Sequence, residues 1–121
     1  NTLRKNISKN TKLILVDDLV PFGENYNIDF FKDFTFFRNG PSISRTKAEK
    51  RRSKYTNLLK SYVDNKTIFY IDPLPKVCDA VSCKAVIEGK LIYADGSPHF
   101  NKEGSLILNN LWLEKLPEIL F

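Results

Sequence analysis

Apolar residues in this chain fall in short blocks set between charged and turn-forming stretches. Thr11 to Val16 (Thr-Lys-Leu-Ile-Leu-Val) is a nearly continuous apolar run. That pattern belongs to a strand buried on both faces, as in a parallel sheet. Asp17, Asp18, Pro21 and Gly23 end it. Thr67 to Ile71 repeats the pattern and stops at Asp72-Pro73. Ser44 to Asn65 lies between the two and reads as a helix. Ser44 can cap it, and Lys47, Ala48, Glu49 and Lys50 favour helix. Tyr55, Leu58, Leu59, Tyr62 and Val63 share one face, which is predicted to pack inward. Strand, helix, strand in this order predicts a βαβ unit with a right-handed crossover.

The remaining pattern is more local. Asn1 to Asn10, with Leu3 and Ile7 at helical spacing, reads as the tail of a helix. Ala85-Val86-Ile87 and Leu91-Ile92-Tyr93 flank Glu88-Gly89-Lys90, a small hairpin. A final helix starts near Lys102 with Asn101 as its cap. Leu106, Ile107 and Leu111 are predicted to face inward, with Leu108 and Trp112 beside them, and Pro117 to end or kink it. Glu24 to Gly40 carries Tyr26, Phe30, Phe31, Phe34, Phe36 and Phe37. Packing against the sheet accounts for them better than an acyl-binding or glycan-stacking surface. Asn39-Gly40-Pro41 is a break.

Composition narrows the class. With 121 residues, 42% hydrophobic and 27% charged, the chain suits one domain with a core. A net charge of +5 permits an acidic partner without requiring one. The longest aliphatic run, Leu13 to Val16, cannot cross a bilayer. No signal peptide or initiator Met opens the chain, so Asn1 reads as the start of a fragment or processed product.

Cys78 and Cys83 are the only cysteines, and with one histidine they are a poor zinc set. A local disulfide in an oxidising compartment is the better reading, and two thiols in a cytosolic loop the plainer one. Lys47, Lys50, Arg51 and Lys54, with Arg52 nearby, form a basic helix face. A solvated face is favoured over nucleic acid, anionic lipid or glycan binding, because the helix's aromatics are predicted on the opposite, buried side. Neither a Gly-x-Gly-x-x-Gly loop nor a Walker-type Gly-Lys-Ser/Thr is present, so no nucleotide, metal or other cofactor is expected.

The chemistry-bearing stretch is Tyr93 to Leu113. Asp95 and His99, the only histidine, share one loop with the turn formers Gly96 and Pro98. Histidine is suited to proton transfer near neutral pH, and a carboxylate can orient it. The alternative is a surface turn with no chemistry.

The order of these parts resembles the C-terminal half of an SGNH-type hydrolase domain. It is most similar to the SGNH domain fused behind the membrane domain of acyltransferase-3 proteins, the bacterial O-acetyltransferases of surface polysaccharide and peptidoglycan. The resemblance spans nearly the whole chain. It rests on Leu13–Val16 leading to Val20-Pro21, on Ser44-Arg45 opening a basic helix, and on Phe69-Tyr70-Ile71-Asp72-Pro73 leading to Cys78 and Cys83. It ends in Tyr93-Ala94-Asp95, His99-Phe100-Asn101 and Gly104-Ser105. The family spaces its acid three residues before its histidine; here Asp95 precedes His99 by four, with Pro98 between.

The resemblance implies an α/β fold, a three-layer flavodoxin-like parallel sheet flanked by helices. Residues 1–121 would supply its C-terminal portion. Asp95 and His99 would be two members of a Ser-His-Asp triad. No Gly-Asp-Ser block occurs in the chain, and Ser97 and Ser105 are poorly placed as nucleophiles. The nucleophile and oxyanion donors would come from sequence before Asn1, so the chain alone would be inactive. The expected partners are an acyl donor, a glycan acceptor and an upstream membrane domain of the same polypeptide, with no nucleic acid. The expected place is the periplasmic face of the cytoplasmic membrane. A secreted SGNH carbohydrate esterase, a non-catalytic basic binding module and a degenerate domain are the alternatives.

Overall fold

The computed structural model describes residues 5–6, 8–19, 42–94 and 99–121. Half of the expected N-terminal helix tail, including Leu3 and Ile7, the terminators Pro21 and Gly23, the aromatic stretch Glu24 to Gly40 and the loop residues Asp95 to Pro98 lie outside them.

Strand β1 (Leu13–Val16) pairs in parallel with β3 (Ile68–Ile71), with Leu13 opposite Ile68 and Val16 opposite Ile71. Both expected strands therefore form, and in the expected orientation. β3 is buried at Ile68 and Ile71, whereas β1 is only half-buried and Val16 is exposed. Helix α1 (Arg45–Tyr62) connects them. The Ser44 hydroxyl accepts from the Lys47 N–H at 3.2 Å, satisfying one of the first-turn donors.

The inward face of α1 differs from the expected one. Ala48 and Arg52 are its buried residues, with Thr56, Leu59 and Tyr62 half-buried along the same stripe. Tyr55 and Leu58 face out, 61% and 54% exposed. The reason lies at the sheet: the groups that meet α1 there are carboxylates, so an arginine and a threonine point inward instead of hydrocarbon.

Two three-residue strands were not anticipated. β2 (Ser42–Ser44) pairs antiparallel with β4 (Ser82–Lys84), bringing the cysteine loop against the start of α1. A short helix, α2 (Leu74–Val77), precedes that loop, with its proline in the first turn. The expected hairpin forms as β5 (Val86–Ile87) and β6 (Lys90–Leu91). Its two turn residues, Glu88 and Gly89, have φ of 50° and 74°, the positive pair that a tight hairpin turn requires.

Helix α3 (Lys102–Leu120) closes the chain. Leu111 is buried and Ile107, Leu108 and Trp112 half-buried, but Leu106 is 51% exposed. The inward role expected of Leu106 is taken by Gly104. Pro117 does not end the helix, which runs to Leu120. The carbonyl deprived of a donor by Pro117 belongs to Leu113, an exposed position. Ile43, Ala48, Leu74, Cys83, Ile92 and Tyr93 share the core, so it gathers β2, α1, α2, β4 and the strand leading to the histidine loop. The architecture is mixed α/β and of the SGNH type, with small parallel and antiparallel sheets and helices.

Candidate active site

The histidine loop is built on a buried base. Ile92 and Tyr93 are each 1% exposed. Tyr93 forms an antiparallel bridge with Phe100, and their rings lie 5.2 Å apart. One step outward, the Ala94 N–H donates to the His99 carbonyl at 2.8 Å. One step inward, the Asn101 N–H donates to the Ile92 carbonyl at 3.1 Å. These bonds close the base of the loop and set His99 at its rim, exposed, directly ahead of α3.

Asn101 joins the loop to the helix. Its carboxamide oxygen accepts from the Gly104 N–H at 3.0 Å, capping α3. Its amide nitrogen donates to the Leu91 carbonyl at 2.7 Å and reaches that of Tyr93 at 3.4 Å. Gly104 makes the junction possible. A Cβ there would fall within 2.6 Å of the Phe100 ring and would also meet the Ile92 carbonyl oxygen. Any side chain would therefore push α3 away from Ile92 and from Phe100, the residue after His99. The glycine one turn into this helix, noted in the sequence as part of a motif, thus has a packing cause.

Of the two expected catalytic residues, His99 is on this rim. Asp95 lies outside the described residues, as does Ser97. Ser105 bonds back to the Asn101 carbonyl at 2.9 Å, within its own helix.

The cysteines form a disulfide, Cys78–Cys83, with Cα atoms 3.9 Å apart. Cys83 is fully buried. The loop it closes sits on the start of α1: the Arg45 N–H donates to the Val81 carbonyl at 2.8 Å, and the Arg45 guanidinium to that of Asp79 at 3.0 Å. Asp79 accepts from the Val81 and Ser82 N–H groups, which holds its carboxyl below the ordinary carboxylate value. The bridge braces the start of α1 and shares the core with Ile92 and Tyr93 at the base of the histidine loop.

A second polar cluster was missed by the sequence reading. Asp17 follows β1 and Asp72 follows β3, so both stand at the carboxyl ends of adjacent parallel strands. Arg52 reaches between them, 3.1 Å from Asp17 and 2.8 Å from Asp72. It is 6% exposed, and the Asp17 side chain is fully buried. The hydroxyls of Thr56 and Tyr70 both donate to Asp17. Burial alone would raise the Asp17 pKa. The Thr56 and Tyr70 bonds, the Asp18 N–H and the Arg52 charge outweigh it and hold the carboxyl below 3.8. Burial and the bond to Asp17 drive the Tyr70 hydroxyl well above its ordinary value. Arg52, placed in the sequence beside the basic face, is instead the inward anchor of α1. Two acids at matching ends of two apolar strands were the available signal, since a buried carboxylate pair needs a cation.

Carboxyl ends of parallel strands are a common place for ligands. Here Arg52 and the hydroxyls already saturate Asp17, so the cluster fixes helix to sheet. His99 stands exposed at the rim of its loop.

Neither curated proteins nor solved structures gave a match. A family model did, over residues 1–114: SGNH domain (fused to AT3 domains). Its span holds both strands of the parallel pair, the disulfide, the histidine loop and the Asn101–Gly104 junction. The chain belongs to the SGNH domains of the AT3-fused family, a hydrolase and acyltransferase group tied to membrane-linked proteins.

Proposed function

We propose that this chain is the acid–histidine portion of an O-acyltransferase of the Ser-His-Asp type, moving an acetyl group to a hydroxyl of a bacterial surface polysaccharide or peptidoglycan. The observation that carries the reading is the exposed His99, held at the start of α3 by the Asn101–Gly104 junction inside the family-matched span. The nucleophilic serine and oxyanion donors are assigned to another part of the same polypeptide, since no Gly-Asp-Ser occurs here.

His99 accepts the serine proton as the hydroxyl oxygen attacks the acyl carbonyl. The tetrahedral intermediate collapses and His99 passes that proton to the departing donor. In the second half His99 takes the proton of the glycan hydroxyl as it attacks the acyl-enzyme. It returns that proton to the serine as the ester forms. Asp95 orients the imidazole and stabilises its cation. The one-residue longer spacing is absorbed by the loop in this reading. The disulfide supports a location on the extracytoplasmic face.

Replacing His99 by Ala in the whole parent protein should lower glycan acetylation by at least ~10³-fold with protein level unchanged. Wild-type acetylation in that variant would refute the assignment. A secreted carbohydrate esterase would use the same residues with water as acceptor; acetyl release without acetyl transfer would identify it.

A further inference from the structure

The outer face of α1 carries two ridges at helical spacing, Lys47–Arg51–Tyr55 and Lys50–Lys54–Leu58. All six side chains are exposed. Each ridge starts with two cations and ends in an apolar group, Tyr55 at 61% and Leu58 at 54% exposure. The only acid of the helix, Glu49, lies on the other side and is bonded to Arg45 at 2.9 Å. Tyr55 and Leu58, with Val16, also wall a groove of about 310 Å³ beside the end of β1, which Asp17 and Asp18 line as well. The aromatics of a plainly solvated helix face would be buried on its other side, and Tyr55 is exposed.

We infer that this face of α1 is a docking surface for the anionic phospholipid headgroups of a membrane. Cations clustered on one helix face are attracted to an anionic leaflet. Exposed tyrosine and leucine at the end of the same face gain by entering the headgroup boundary, where an amphipathic ring is favoured. A soluble polyanion such as a nucleic acid or acidic glycan would satisfy the cations and leave both apolar groups in water. The lipid surface is therefore the occupant that uses the whole face. The family's link to membrane-borne AT3 domains supports a bilayer within reach. This inference rests on the family match and stands apart from the chemistry of His99.

The test is co-flotation of the 121-residue chain with vesicles of phosphatidylglycerol and phosphatidylcholine, against vesicles of phosphatidylcholine alone. Binding should require the anionic lipid and fall steeply with salt. The exposed-site variant K47Q/K50Q/K54Q should partition about a hundred-fold more weakly, roughly five-fold for each cation removed. Y55S/L58S should weaken vesicle binding several-fold and leave binding to dextran sulfate unchanged. All five positions are on the surface, and an unchanged circular dichroism melt identifies variants that keep the fold. Equal binding to both vesicle types, or unaltered partition of the triple variant, overturns the proposal. Dextran sulfate bound as tightly as the vesicles, with Y55S/L58S indifferent on both, also overturns it and marks a general polyanion surface.

Discussion

The strand-end cluster and the histidine loop hold their ionisable side chains in opposite ways. Around Asp17, charge is buried, and each carboxylate is answered by a guanidinium or a hydroxyl. Around His99 the backbone supplies the support, through the Ala94–His99 and Asn101–Ile92 bonds, and the ionisable side chain stands exposed. A buried acid–base cluster at the end of parallel strands is the arrangement usually searched for function. In this molecule it anchors a helix, and the histidine proposed for proton transfer sits exposed beside a loop.

The contrast can be broken at several points. The largest effect on stability belongs to Arg52. Arg52→Ala leaves Asp17 buried without its cation and should cost about 3–5 kcal/mol, read by urea unfolding of the chain. A loss below ~1 kcal/mol would mean that the cluster does not anchor α1. Gly104→Ala comes next, at about 1–3 kcal/mol, because the new methyl meets the Ile92 carbonyl and the Phe100 ring. In the parent protein the same change should also lower acetylation by displacing the His99 rim, while the Arg52 variant should lose activity only as it unfolds.

Acidity separates the regions more gently. Asp17 has a folded pKa below its ordinary 3.8, so its contribution is complete above about pH 4 and is lost as pH falls further. Tyr70 has a raised folded pKa, so its contribution is present below its ordinary 10.0 and fades as pH rises beyond it. Asp17→Asn should flatten the acid limb of a stability–pH curve, and Tyr70→Phe the alkaline limb. Parallel limbs in variant and native protein would remove the cluster from the account. The smallest shift is expected from His99→Ala, within about 0.5 kcal/mol by the same unfolding measurement, since the residue is exposed.

Local signals carried much of the fold. Ser44 and Asn101 cap the helices they were expected to cap, because a short polar side chain before a helix-forming run has one strong local use. The two apolar runs became parallel strands for a similar reason. The helix faces were less legible. Hydropathy sorts residues by affinity for oil, and the inward stripe of α1 meets carboxylates instead, so Arg52 and Thr56 displaced Tyr55 and Leu58. Strands β2 and β4, three residues each, are too short to leave a period. At the candidate site, His99 and its junction with α3 were readable from turn and cap chemistry. The partnership with Asp95 rests on its place in the sequence.

The disulfide has a consequence for biogenesis. Its cysteines are 5 positions apart and face each other across a local antiparallel bridge, whereas β1 and β3 must find one another across the length of α1. The ring can therefore close on a short stretch of chain before the parallel pair exists. Within these residues there is one possible pairing, since the chain has 2 cysteines. Oxidation of this segment can therefore precede assembly of the sheet that carries it.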